Sequence, residues 1–362
     1  MSASSAARQP GGWTDTGSRA TSWAEVVRLR TLPAAVAPVI LGGGAAAALG
    51  TFSAPRTLLA AGVALALQVG CNLANDYSDG VRGTDDARTG PPRLTAAGAV
   101  SPRAVKLAAF GCFGAGGLLG AALLALSGQW WMLLLGAAAI AAAWFYTGGP
   151  RPYGYAGLGE VFVFAFFGLM ATAGTLYVQG GSVPGWAWLA ACGIGLIACS
   201  LLMVNNLRDI GTDPLHGKRT LAVRLGERGA RAAFCAMVAV PVPLGVIALW
   251  WARSARTASG APGAVTLGDA AAVVYAVYLL VLGLLAGRAA RPVLRGATGR
   301  DLIPSLRDAG CTSSSTAPPP RRRSSSPVER RRGGRPIPAG GMSAYAGLGS
   351  RRREWVPVVP GR

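Results

Sequence analysis

Two stretches of this chain contain no Asp, Glu, Lys or Arg: 44 residues from Leu107 to Pro150 and 47 from Val161 to Leu207. A transmembrane helix needs roughly 20 mostly apolar residues, so each stretch accommodates two spans joined by a short turn. Shorter uncharged runs cover Thr31–Pro55, Thr57–Asn75, Ala232–Ala252 and Ala270–Gly287. Only 14% of the 362 residues are charged, where a soluble domain carries about a quarter. The richness in Gly and Ala suits close helix packing in lipid. The expected fold class is all-α, a polytopic transmembrane helical bundle. Spans are placed near 32–50, 57–75, 104–126, 129–147, 157–178, 186–206, 231–251 and 268–287, eight in all. "WAEVVRLR", before the first span, reads as a short interfacial helix. The first 22 residues lack an apolar core, so no cleavable signal peptide is expected.

Basic residues orient such a bundle, because they gather on cytoplasmic loops. With the N-terminus inside, the inner loops hold Arg82, Arg88, Arg93, Arg103 and Lys106, then Arg151, then Arg208, Lys218, Arg219, Arg224, Arg228 and Arg231. The outer connections "ALSGQ" and "VQGGSVPG" hold none, and Arg253 and Arg256 are a minor exception. Two polar stretches then share the cytoplasmic mouth. "NLANDYSDGVRGTDDARTGPPRL" closes the second span, with four aspartates and three arginines, and "NNLRDIGTDPLHGKRT" closes the sixth.

Asp76 and Asp79 are three residues apart, and Asp209 and Asp213 four. If the helices continue through them, each pair projects from one face, with Asn72 one turn before Asp76 and Asn206 three residues before Asp209. Carboxylate and amide oxygens are the ligands Mg²⁺ prefers, commonly completed by substrate phosphates. Two facing sets could hold two Mg²⁺ ions across a diphosphate, with Arg88, Arg93, Lys218 and Arg219 neutralising the remaining charge. The alternative is a pair of ordinary mixed-charge loops; the recurrence of the pattern favours the metal–diphosphate site.

"NDYSDGVRGTD", "RTGPPRL", "YTGGPRPYGYAGLGE" and "NNLRDIGTDPLHGKRTLAVRLG" together resemble the UbiA superfamily of intramembrane prenyltransferases, and within it the branch that prenylates 1,4-dihydroxy-2-naphthoate. The resemblance runs from about Trp23 to about Leu306. It implies transfer of a polyprenyl chain from an allylic polyprenyl diphosphate to 1,4-dihydroxy-2-naphthoate, with release of diphosphate and CO₂, giving demethylmenaquinol. It also implies a multi-pass protein of the bacterial inner or plasma membrane, with the lipid bilayer as its surroundings. By the same resemblance Asn72, Asp76 and Asp79 form the first metal cluster, with Asp85 a further ligand or water anchor. Asp209 and Asp213 form the second, helped by Asn206. Lys218 and Arg93, then Arg88 and Arg151, hold diphosphate. Tyr146 either orients the aromatic acceptor and stabilises the cation or is an interfacial anchor. Glu160, at a helix start, is read as structural.

The superfamily has nine spans, and a ninth is expected near Cys311. Instead, residues 301–362 carry 12 arginines against four acidic residues, in a Pro/Arg/Ser-rich composition expected to be disordered. The domains are accordingly 1–22 disordered, 23–306 transmembrane and 307–362 a disordered basic tail. A reading-frame error is the favoured account of that tail, and a polybasic arm for anionic lipid the other. Competing functions are prenyl transfer to another aromatic acceptor and, in a different class, transport. Transport fits poorly because charges stop at the rims rather than reaching the midplane. A pI near 11.1 needs no nucleic-acid partner, since inner-loop and tail arginines explain it. The six cysteines lack ligand spacing and read as packing residues, and His216 as a loop residue.

Overall fold

In the computed structural model, residues 31–82, 95, 100–258 and 283–311 are described. All of their regular structure is helical: α1 (Leu32–Ala48), α2 (Ala54–Val81), α3 (Pro102–Ser127), α4 (Leu133–Phe145), α5 (Gly159–Gly180), α6 (Gly185–Arg208), α7 (Leu221–Ala239), α8 (Pro241–Ala258), α9 (283–294) and α10 (Ile303–Cys311). Five helical runs are long and apolar enough to cross a membrane: α2, α3, α5, α6 and Leu221–Ala255, which joins α7 to α8. Leu32–Ala48 and Trp130–Phe145 are shorter apolar helices. Seven of the eight expected spans thus have a helical counterpart, while most of the eighth lies outside the described residues, as do residues 312–362.

Local chemistry sets these boundaries. Pro occupies the first turn of α1, α2 and α3, where its missing N–H costs nothing. Ser101 caps α3 by accepting from the Ala104 N–H, and Gly128 ends it at φ 73°. The expected seventh span, 231–251, is divided at Pro241, which cannot donate to the preceding helix and so starts a new one. A second departure lies within α5, where Phe164–Met170 forms a π-helical segment between two α-helical ones.

The helices pack through small residues. α2 lies along α3, α1 along the second half of α5, and α6 contacts α5, α7 and α8. A Cβ on Gly168 would fall 2.5 Å from the Gly195 Cα, so α5 and α6 touch backbone to backbone there. Arg56 staples the end remote from the acidic stretches. Its guanidinium donates to Leu126 O (2.6 Å), at the end of α3, and to Val178 O (3.1 Å) and Gln179 O (3.3 Å), at the end of α5. A cation on helix C-terminal carbonyls satisfies acceptors that would otherwise have no partner there.

The chain stays helical to Cys311, five residues past the domain end expected at 306. Leu302, Ser305 and Ala309 are fully buried, the two apolar ones in a core with Met203, Phe234 and Val293. Exposed large apolar side chains such as Leu58, Leu118, Leu134 and Trp250 cover the bundle's exterior, as lipid contact requires.

Candidate active site

The aspartates are buried, which is the first sign that they are more than loop polarity. Asp76 is 1% exposed, Asp79 2%, Asp209 7% and Asp213 6%. A carboxylate taken out of water must be compensated by hydrogen bonds or positive charge, and each of the four is engaged. Asp76 Oδ1 accepts from Thr95 Oγ1 (2.6 Å) and Thr95 N (3.0 Å). Asp79 Oδ1 accepts from the Tyr155 hydroxyl at 2.7 Å. Asp209 takes a bidentate pair from Arg208, at 2.8 and 2.6 Å. Lys218 Nζ stands 3.7 Å from Asp213 Oδ1.

The two pairs are built differently. α2 runs unbroken through Asp76 and Asp79, as the spacing argument requires. α6 instead ends at Arg208, with Asp209 as its C-cap, and Asp213 opens a 3₁₀ turn, Asp213–His216. One bond of helical register survives, from Asp213 N to Asp209 O at 2.9 Å, so the second pair still stands one turn apart. The helix stops because Gly211 and Pro214 follow it closely.

The amides sit one layer deeper. Asn72 donates to Thr31 Oγ1 (3.3 Å) and accepts from Gln68 Nε2 (3.3 Å). Asn206 donates its amide to Glu160 Oε1 at 3.0 Å, which ties α6 to the start of α5. Glu160 is buried, and its Oε2 has no hydrogen bond among the described residues. Asn75 accepts from Thr147 Oγ1 at 2.7 Å. Arg82, at the end of α2, donates to the carbonyls of Thr147 and Gly149, fixing the loop after α4. Arg151 is exposed in that loop. Asp85, Arg88 and Arg93 lie outside the described residues. Thr95, Asn75, Thr147, Tyr155 and Glu160 were not singled out as site residues from sequence. The signal available for Tyr155 and Glu160 was their place in "PYGYAGLGE", and for Asn75 its place beside Asp76.

Below the carboxylates lies a cavity of about 500 Å³. Asn72, Asn75, Asn205 and Tyr146 line its polar part, and Val39, Leu124, Met132 and Val178 its apolar part. The α2 residues facing it run from Ala60 to Asn75. At 1.5 Å per residue the cavity follows that helix for about 22 Å. One wall is aromatic: Tyr146, Tyr153, Phe162 and Phe166 follow one another, with ring centroids 5.6, 3.9 and 6.2 Å apart. Burial raises the ionisation of the Tyr153 phenol well above the usual tyrosine range, so it remains a neutral donor.

The donor set suits a hard cation. Four buried carboxylates and neighbouring amides are oxygen ligands of the kind Mg²⁺ takes. Among the described residues no three His, Cys, Asp or Glu side chains converge on one point. Mg²⁺ commonly completes its coordination with substrate phosphates.

Comparison with known proteins gives the family. Residues 35–293 match the UbiA prenyltransferase family. The 1,4-dihydroxy-2-naphthoate octaprenyltransferase of Mycobacterium tuberculosis is 46% identical over 289 residues, 80% of this chain and 91% of that one. The protein of that name from Escherichia coli is 41% identical over 220 residues, 59% of this chain and 71% of the other. A UbiA homologue from Archaeoglobus fulgidus, solved with DMAPP and Mg²⁺, superposes with a TM-score of 0.56 at 16% identity, covering 81% of this chain and 95% of that one. With a buried acidic rim above an apolar cavity, and a family match over most of its length, the chain belongs to the UbiA prenyltransferase family.

Proposed function

We propose that this protein transfers a polyprenyl group from an allylic polyprenyl diphosphate to 1,4-dihydroxy-2-naphthoate, releasing diphosphate and CO₂ and giving demethylmenaquinol at the cytoplasmic face of a bacterial membrane. The observation that carries the reading is four buried carboxylates on the same segments as Asn72, Asn75 and Asn205, which line a long apolar cavity. The acceptor is inferred from relatives of that name that match most of the chain.

Asp76 and Asp79 on one side and Asp209 and Asp213 on the other would hold two Mg²⁺ ions, with Asn72, Asn206 and Asp85 in supporting places. Bound there, Mg²⁺ supplies charge stabilisation for the departing diphosphate. Lys218, Arg88, Arg93 and Arg151 neutralise the remaining phosphate charge. The apolar walls exclude water from the allylic cation, and the faces of Tyr146 and Tyr153 stabilise its charge. The allylic C–O bond breaks with its electron pair leaving on diphosphate. The cation then takes a pair from the naphthoate ring, and the carboxylate leaves as CO₂, returning a pair to the ring.

Prenyl transfer in isolated membranes tests this, with 1,4-dihydroxy-2-naphthoate or 4-hydroxybenzoate as acceptor, with and without Mg²⁺. The expected product forms with the naphthoate only and needs Mg²⁺. Changing Asp76 and Asp209 to Ala lowers it by about 100-fold or more. Product from 4-hydroxybenzoate alone would displace the acceptor assignment.

A further inference from the structure

The two carboxylate pairs come from segments 133 residues apart, and something must set their separation. We infer that Tyr155 is the positioning residue that does so, an inference resting on the diphosphate reading above. Its hydroxyl donates to Asp79 Oδ1 at 2.7 Å. Lys218 Nζ lies 5.6 Å from the centre of its ring and 3.7 Å from Asp213 Oδ1. One continuous path of side chains, Asp79–Tyr155–Lys218–Asp213, thus joins the first pair to the second.

The backbone holds the same path in place. Arg219 N donates to Tyr155 O at 2.9 Å, and Lys218 N to Asp213 O at 3.0 Å. Tyr155 sits in a 3₁₀ turn, Tyr153–Ala156, ended by Gly157 at φ 78°. A Cβ on Gly157 would fall 2.7 Å from the Arg224 Nε and 3.1 Å from Arg219 O, so this turn lies directly against the segment that follows Asp213.

The chemistry of the side chain suits the task. A phenol that donates to a carboxylate oxygen restricts how that carboxylate can turn, which fixes the direction of its lone pairs. The ring attracts cations over its face, and Arg82 is drawn to it as well, at 5.4 Å. Lys218 is shared between the ring and Asp213. Its 3.7 Å separation from Asp213 exceeds that of a charge-assisted hydrogen bond, about 2.8 Å. The ammonium is therefore kept between the two pairs, where a bridging diphosphate would meet it, instead of collapsing onto Asp213. Tyr155 has two separable jobs: its hydroxyl orients Asp79, and its ring holds the cations.

The test uses the purified full chain in detergent, with Mg²⁺ and inorganic diphosphate as probes and no acceptor present. Binding is read from the rise in Tm as each probe is titrated, for wild type, Tyr155→Phe and Tyr155→Leu. Tyr155→Phe keeps the ring and is expected to weaken apparent Mg²⁺ affinity about tenfold, with a ligand-free Tm lowered less than that of Tyr155→Leu. Tyr155→Leu loses the ring as well, and apparent diphosphate affinity falls several-fold in addition. In an Asp79→Asn background, Tyr155→Phe brings no further loss of Mg²⁺ affinity, because the hydroxyl acts through that carboxylate.

Wild-type binding by Tyr155→Phe would overturn the proposal. So would a lower ligand-free Tm with unaltered responses to both probes, the mark of a residue that only fills space. A wild type unmoved by Mg²⁺ and diphosphate together would overturn the diphosphate reading and this inference with it. A wild type that responds but makes no product from the naphthoate corrects the acceptor alone, and the comparison of variants still decides the role of Tyr155.

Discussion

Arg208 and Asp209 are neighbours in sequence and partners in space, both side chains under one tenth exposed. Removing one partner of a buried pair leaves the other charge poorly compensated. Arg208→Met is therefore expected to cost about 3 kcal/mol of stability, seen as a lower Tm in detergent. An unchanged midpoint would mean that Asp209 is well compensated by its other surroundings. The buried phenol of Tyr153 makes a separate prediction about pH. Unfolded tyrosines ionise near pH 10, whereas burial keeps Tyr153 protonated in the fold. Above about pH 10 the unfolded state binds fewer protons than the folded one, so stability is complete below that value and falls as pH rises. Tyr153→Phe, which also gives up the bond to Ala142 O, should show a shallower alkaline fall. An identical slope would show that Tyr153 contributes nothing to it.

The elements carry constraints of their own. Phe162 and Phe166 line the cavity together with Phe167, and the π-helical segment Phe164–Met170 sets their relative facing. One residue in an α-helix is a turn of about 100°. Deleting Ala165 should restore α-helical register, rotate the start of α5, and carry Glu160 away from Asn206. The expected result is helix content unchanged by circular dichroism with prenyl transfer abolished; retained activity would make the segment incidental. The contact between Gly168 and Gly195 allows a second test. A side chain at Gly168 cannot fit against backbone, so Gly168→Val should cost about 3 kcal/mol and lower Tm accordingly.

At the scale of the whole molecule, charge and apolarity are segregated. Large apolar residues cover the outside, carboxylates gather at one end, and the cavity runs from them toward the end stapled by Arg56. A long isoprenoid would use the full cavity and a short one only the part near the carboxylates. Gly136 lines the cavity, and a Cβ there meets nothing within 4 Å. Gly136→Phe should therefore raise KM for a long-chain donor about tenfold and leave a short-chain donor almost unaffected. Equal effects on both donors would place the tail elsewhere.

The sequence alone determined the class. Long uncharged runs permit little except helices in lipid, because only a helix satisfies its own backbone there. The same reading located both acidic pairs, since Asp and Asn at one-turn spacing beside an apolar run stand out against so little charge. It could not determine how these residues are engaged, because partners distant in sequence leave no periodic signal. Thr95 on Asp76, Glu160 on Asn206 and Tyr155 between the two pairs exist only once the helices and their connecting segments pack together. The π segment in α5 was equally hidden, since an apolar run reads the same for either helix. The breaks at Asp209 and Pro241 had local signals in Gly211, Pro214 and Pro241, but their effect depended on the neighbouring helices. Composition chose the solvent and the element type; tertiary packing decided which buried polar groups face each other, because each must find a partner where water is absent.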